Sequence, residues 1–309
     1  MEDETALNRL DEAKLAYDQA IARKLDNSFL HDDMYSIAFL QGDAEEMKRQ
    51  LAWASGRPGA EGLLLSAHSD TEALYGHLEK SRVLSRQAVD SGRRADLKET
   101  AALWQLNSAL REAEFGNVKF ARQATTEGLA IASTRDVRIV AALTLARTGD
   151  VGQAEKMAAE LEKENPSNTA INRYWLPTIR AYIAIDQRDP SRAVKILEVA
   201  MPYDLAFPLP QFEEGGLLYP TYVRGKAYLL LHKGKEAASE FQKLLDHRGS
   251  VINSPLGALA RLGIAQSQMV QNDASKARPA YQDFLNVWKE ADPNIPILQE
   301  AKAECAKIQ

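Results

Sequence analysis

The sequence predicts an all-α chain, a solenoid of antiparallel helix pairs stacked side by side. Three observations predict it. Five times a small residue is followed twelve positions later by another: Ala109/Ala121, Ala142/Ala154, Ala181/Ala193, Gly225/Ala237 and Ala265/Ala277. Between the members of each pair lies a turn: Gly116-Asn117, Gly149-Asp150, Arg188-Asp189, Lys233-Gly234 and Asn272-Asp273. The pairs recur at intervals of 33, 39, 44 and 40 residues, and a period of that size marks a repeat architecture. In such a unit two helices fold back on each other, and a small residue on each lets the backbones approach.

The elements follow in order. Residues Glu4 to about Lys24 read as one amphipathic helix with Leu7, Leu10, Ala13, Leu15, Tyr17, Ala20 and Ile21 as its apolar content. Asn27 or Ser28 caps a second helix that runs to the Gly42-Asp43 turn, and Ala44 to Ala54 is its partner, ended by Gly56-Arg57-Pro58-Gly59. This hairpin has the turn but carries Tyr35 and Met47 where the small pair belongs. Helices at about 60–74 and 77–91 follow as a degenerate unit, because the Gly42 and Gly116 turns are two repeat lengths apart. From Ala101 the units are clear. In the unit from Tyr219, Gly225 and Ala237 are the close-approach pair, and Tyr228, Phe241 and Leu244 fill the space around them. A glycine inside a helix costs about 1 kcal/mol relative to alanine, so Gly225 needs a packing reason. Pro202 to Gly216, PYDLAFPLPQFEEGG, is the one stretch expected to be non-helical. The whole, 1–309, reads as a single repeat domain: divergent repeats over 1–100, clearer ones over 101–291, and a capping helix over 292–309.

The series resembles the tetratricopeptide repeat (TPR). One unit places Ala142, Leu145, Gly149-Asp150, Ala154, Ala158 and Pro166 in the family's order, the next Ala181, Asp189, Ala193, Leu197 and Ala200, and the last Ala265, Asn272-Asp273, Ala277, Tyr281 and Phe284. Most intervals exceed the family's 34 residues, so extra turns are inserted. The resemblance implies a right-handed superhelical solenoid whose concave side binds proteins. A narrower resemblance covers the last ninety or so residues. The runs LYPTYVRGKAYLLLHKGKEAASEFQKLLDHRG, SPLGALARLGIAQ and ARPAYQDFLNVWKEADPNIPILQEAKAE are similar to the carboxy-terminal repeat region of acidobacterial-type serine/threonine kinases and winged-helix regulators. It implies that the chain is a fragment of such a protein or a free-standing relative of its tail.

Composition narrows the function. The chain is 45% hydrophobic and 26% charged, with a net charge of −5, which argues against direct nucleic-acid binding. The basic cluster Arg82, Arg86, Arg93 and Arg94 is interrupted by Asp90 and Asp96 and reads as a solvated helix face. No apolar stretch of about 18 residues is present to span a membrane. The acidic amino terminus does not have the form of a signal peptide. The chain as given is therefore expected in the cytoplasm, and outside it if it is part of a membrane-anchored kinase. Cys305, the single cysteine, lies on the stripe of Ile297, Leu298, Ala301 and Ile308 and reads as a small hydrophobe.

Catalytic patterns are missing. The chain has no phosphate-binding Gly-rich loop, no kinase motif set and no Gly-x-Ser-x-Gly elbow. His31, His68, His77, His232 and His247 form no metal-binding pair. No catalytic residue, metal or cofactor is expected. What remains is a binding groove for a protein or peptide.

The resemblance implies that first-helix positions line this groove. They are Trp175, Thr178, Tyr182 and Ile185 in one unit, then Tyr219, Tyr222, Lys226 and Leu229, then Leu259, Leu262, Gln266 and Met269. Trp175, Thr178, Tyr182, Tyr219, Tyr222, Lys226, Gln266 and Met269 are the expected partner-binding residues. The alternative is that the long loop or the terminal helix covers these rings as core. Leu106 and Leu110 stand where related chaperone-binding repeats carry a carboxylate clamp, so that clamp is not expected. Two functions follow: an interaction scaffold or regulatory repeat region, or the ligand-sensing domain of a bacterial kinase or winged-helix regulator.

Overall fold

The computed structural model describes residues 1–206, 210 and 218–308. Among these, the regular elements are helices and no strand is present. The predicted amino-terminal helix is two: α1 (Glu2–Ala6) and α2 (Leu10–Ala22). The break is Asn8, at φ 58°, a left-handed conformation that asparagine tolerates better than most residues. Then come α3 (Ser28–Gln41), α4 (Ala44–Ala54), α5 (Ala60–Leu74), α6 (Leu78–Arg94), α7 (Lys98–Glu114), α8 (Val118–Ile131), α9 (Arg135–Arg147) and α10 (Val151–Glu164). A wide π turn (Ile171–Trp175) leads into α11 (Leu176–Asp186), and α12 (Pro190–Leu197) runs into a 3₁₀ turn (Glu198–Tyr203). The rest are α13 (Tyr219–Leu230), α14 (Gly234–Asp246), α15 (Arg248–Val251), α16 (Leu256–Val270), α17 (Ala274–Val287) and α18 (Pro296–Ala306). Seven antiparallel pairs stand among the described residues: α3/α4, α5/α6, α7/α8, α9/α10, α11/α12, α13/α14 and α16/α17.

One hydrogen bond repeats at all seven turns. The N–H after the turn residue donates to the carbonyl five residues back: Asp43 to Ala38, His77 to Glu72, Asn117 to Glu112, Asp150 to Leu145, Asp189 to Ala184, Lys233 to Tyr228 and Asp273 to Gln268, all at 2.8–3.0 Å. This bond satisfies a carbonyl at the helix end and requires a left-handed residue. Gly42, Gly76, Gly116 and Gly149 supply it at four turns, and Arg188, His232 and Asn272 at the other three. The expected Lys233-Gly234 turn is therefore displaced. His232 makes it, and Gly234 begins α14, where an added Cβ would come within 2.6 Å of the Ser267 carbonyl.

The five predicted small pairs lie inside, each alanine fully buried. The divergent α5/α6 unit has its own pair, Ser69 and Ser81, also twelve apart. The Ser69 hydroxyl donates to the Ser81 carbonyl at 2.9 Å. The π turn has a local cause. Pro177 has no N–H to give the preceding turn, so the helix widens there. The Thr178 hydroxyl donates to the Tyr174 carbonyl at 2.6 Å. Of the predicted non-helical stretch, Pro202 and Tyr203 belong to the 3₁₀ turn that extends α12. Residues 207–209 and 211–216 of it lie outside the described residues.

The array curls back on itself. The Trp288 indole N–H donates to the Leu74 carbonyl at 2.9 Å, and its ring meets Phe115 edge-on with centroids 5.0 Å apart. The Asp292 N–H donates to Gly76 O at 3.0 Å and the Ile297 N–H to Phe115 O at 3.3 Å. Asn253 donates to the Ala67 carbonyl at 2.8 Å, and Arg248 to Leu40 O at 2.5 Å. The last pairs thus sit on the turns and helices of the early ones. A single core runs from Ala73 to Ala301, with smaller clusters around Tyr35, Ile37 and Trp104.

Candidate functional site

The tight curl brings first helices of distant units together around one carboxylate. Glu114, the last residue of α7, is 2% exposed. Its Oε1 accepts from the Tyr182 hydroxyl at 2.5 Å. Its Oε2 accepts from Arg147 Nε at 3.1 Å, Lys226 Nζ at 3.3 Å and the Tyr222 hydroxyl at 3.4 Å. The donors come from α9, α11 and α13. Lys226 Nζ also lies 5.6 Å and 5.3 Å from the ring centres of Tyr182 and Tyr222, within range of a cation–π attraction.

The electrostatics follow from this crowding. Burial pushes the Glu114 carboxyl up, but the charges of Lys226 and Arg147 and the Tyr182 hydrogen bond outweigh it and hold the group at about 2. Burial and then Arg147 push the Lys226 ammonium down to about 8. Burial, reinforced by Glu114, drives the Tyr182 and Tyr222 phenols well above their ordinary value. Two cations thus face one carboxylate, and a smaller favourable charge reaches Lys226 from Glu300 on α18.

The eight expected groove residues separate into two groups. Trp175, Thr178, Tyr182, Tyr219 and Tyr222 are all buried, at 3% exposure or less. Trp175, Tyr182, Tyr219 and Tyr222 belong to the main core. Trp175 meets Tyr174 edge-on at 4.8 Å. The burial of these rings is the position that the alternative reading, with the rings as core, gave them. Lys226, Gln266 and Met269 keep part of their surface. Gln266 donates to Glu304 of α18 at 3.1 Å, and the Tyr281 hydroxyl donates to the same carboxylate at 2.7 Å. The terminal helix therefore covers part of this face. Cys305 on it is half-buried and packs on the core.

Glu114 and Arg147 were not among the expected residues, although they carry a signal. Each stands two places before its turn glycine, Gly116 or Gly149. In the fold these two opposite charges pair inward, at 3.1 Å. A second polar layer was also missed. Asp70, Asn107 and Arg111 are fully enclosed, with Arg111 Nη1 to Asp70 Oδ1 at 2.5 Å and Asn107 Nδ2 to the same oxygen at 2.9 Å. It joins α5 to α7 and faces no solvent, so it has a structural role.

Several other charged groups are paired in ordinary ways. Glu72 accepts from Lys80 at 2.7 Å and lies 3.0 Å and 2.7 Å from ring nitrogens of His68 and His77. Burial raises its carboxyl, but these three contacts hold it at about 2. In the basic cluster, Arg82 pairs with Glu112 at 2.5 Å and Arg94 with Glu61 at 3.3 Å. Among the described residues no group of three His, Cys, Asp or Glu is placed to hold a metal ion. Among the same residues no helix is long and apolar enough to cross a membrane.

No family model matches the chain, and no curated protein matches it. Solved structures do. A tetratricopeptide repeat protein from Parabacteroides merdae is 12% identical over 94% of this chain and 96% of its own, with a TM-score of 0.46. Yeast Tom70 is 12% identical over 99% of this chain and 60% of its own, with a TM-score of 0.45. The TPR domain of P58(IPK) is 12% identical over 99% of this chain and 95% of its own, with a TM-score of 0.33.

Proposed function

We propose that the chain is a non-catalytic protein-binding module, a scaffold or the regulatory repeat region of a larger signalling protein. The observation that carries this reading is architectural. Seven helix pairs stacked in one array present a long surface made of helix faces and turns, the form suited to holding another macromolecule. In this reading the partner meets Lys226, Gln266 and Met269, beside α18. Tyr182 and Tyr222 hold the lysine from beneath with their rings, and Trp175, Thr178 and Tyr219 act from within the buried core. The finer form is a sensing domain attached to a bacterial kinase or winged-helix regulator, and it rests on the resemblance of residues 218–304.

Photo-crosslinking tests the reading. A crosslinking amino acid placed at Met269 should capture a protein partner from the native cell. The same group at Phe120 on α8, which is 53% exposed, should not. Equal capture at both positions, or capture at Phe120 alone, would move the binding surface away from the first helices.

A further inference from the structure

A second surface, at the opposite end of α7 from Glu114, is built where the starts of α3, α5 and α7 come together. Between them lies an open cleft of about 600 Å³. Its walls are Phe29, Trp53, Leu63, Leu97 and Trp104. Phe29 is 71% exposed and Leu97 40% exposed, so the cleft offers apolar surface that the chain itself leaves uncovered. At its mouth stands Arg57. Its guanidinium carbon lies 4.4 Å above the Trp53 ring, and His31 stacks on the same indole at 3.5 Å. His31 is in turn held between Asp26 at 2.7 Å and Gln50 at 2.5 Å. The arginine is thus positioned before any ligand arrives.

Charge decides what fits. The neighbouring acids are engaged: Asp26 with His31, and Glu61 with Arg94, the Ser91 hydroxyl and the Gly56 N–H. Arg57 makes no ion pair among the described residues. An arginine on an aromatic face presents its fork of N–H donors to a carboxylate. The cleft is open, and its apolar walls include the exposed Phe29 and Leu97. Exposed apolar surface of this kind marks a protein contact rather than an enclosed small-molecule pocket. We infer that this cleft docks a polypeptide segment in which an aliphatic or aromatic side chain stands next to a carboxylate. The apolar side chain enters between Phe29, Leu97 and Trp104, and the carboxylate pairs with Arg57.

The probe is an array of octapeptides pairing Glu or Asp with each of Phe, Leu, Ile, Met and Trp, with a matched set carrying Gln or Asn. The full chain and its Arg57→Gln, Phe29→Ser and Lys226→Ala variants are bound to it, with the fold checked by circular dichroism. The acidic set should bind better than the amide set. Arg57→Gln should weaken the acidic set about fivefold, the upper range for an exposed ion pair, and leave the amide set unchanged. Phe29→Ser should weaken both sets, and Lys226→Ala neither. The inference is overturned by no preference for the acidic set, by equal loss of both sets in Arg57→Gln, or by sodium decanoate displacing the peptides more effectively than they displace one another. Loss of binding in Lys226→Ala with no change in Arg57→Gln would also overturn it, while leaving the proposed concave site standing.

Discussion

Two aromatic rings, one in the third helix pair and one in the sixth, sit in slots made by glycines. Trp104 lies between Gly62 of α5 and Gly92 of α6, where added Cβ atoms would come within 2.6 Å and 2.9 Å of it. Phe241 lies between Gly225 of α13 and Gly263 of α16, where they would come within 2.9 Å and 2.6 Å. The device is the same, and the surroundings differ. Trp104 forms a wall of the open cleft. Phe241 is 1% exposed and meets Tyr222 at 5.9 Å, beneath the Glu114 cluster. A glycine slot sets how close a ring comes to a backbone. The curvature of the array decides whether the other side of the ring is solvent or core.

If that contrast is right, the closed end should be the less tolerant. The largest effect is expected from Glu114→Ala. It leaves Arg147, Lys226 and two phenols facing each other without an anion, and breaking such a buried pair costs about 3–5 kcal/mol. Urea denaturation measures this, and a loss below about 1 kcal/mol would mean that water reaches the cluster freely. Next in size is the pair of glycine substitutions. Gly263→Ala should cost about 1–3 kcal/mol, because Phe241 has nowhere to move. Gly62→Ala should cost about half as much by the same overpacking argument, because Trp104 can shift toward the cleft. Equal losses would break the comparison.

The pH dependence sharpens it further. The Glu114 carboxyl is lowered in the fold to about 2, so the unfolded chain takes up its proton first as pH falls. The stability from this group is full above about 4.3, its ordinary value, and is lost as pH drops toward 2. The Lys226 ammonium is lowered in the fold to about 8, so between 8 and its ordinary value of about 10.4 the unfolded chain holds more protons. Stability should therefore rise with pH across that window. Denaturation series in Glu114→Gln and Lys226→Met should flatten the acid and alkaline limbs respectively. The smallest effect belongs to the open end. Arg57→Gln should change unfolding free energy by no more than about 0.5 kcal/mol, as expected of an exposed side chain.

The helix pairs were legible because each obeys a local rule. Ala142 and Ala154 are small because two backbones meet there, and Gly149 is glycine because φ is positive. Where another residue met the same demand the signal faded. Serine at 69 and 81 is nearly as small as alanine, and His232 adopts the turn conformation in place of a glycine. Asn8 broke an apparently continuous helix for the same reason. The site was legible only in part. Tyr182, Tyr222 and Lys226 do come together, but helical spacing carries no information about curvature, and curvature brought Glu114 to them and closed the rings in. The contacts of Trp288 and Ile297 with residues near 74 and 115 have no local signature at all.

Those contacts also set a timetable. In an open solenoid each pair can settle as soon as its neighbour has formed, because contacts are local. Here the carbonyls of Leu74, Gly76 and Phe115 receive their donors from Trp288, Asp292 and Ile297, about two hundred residues later. While the chain is being synthesised, the early pairs must wait with that edge bare until the last turns emerge. The finished array, once closed, has no free seam at those turns from which to unravel.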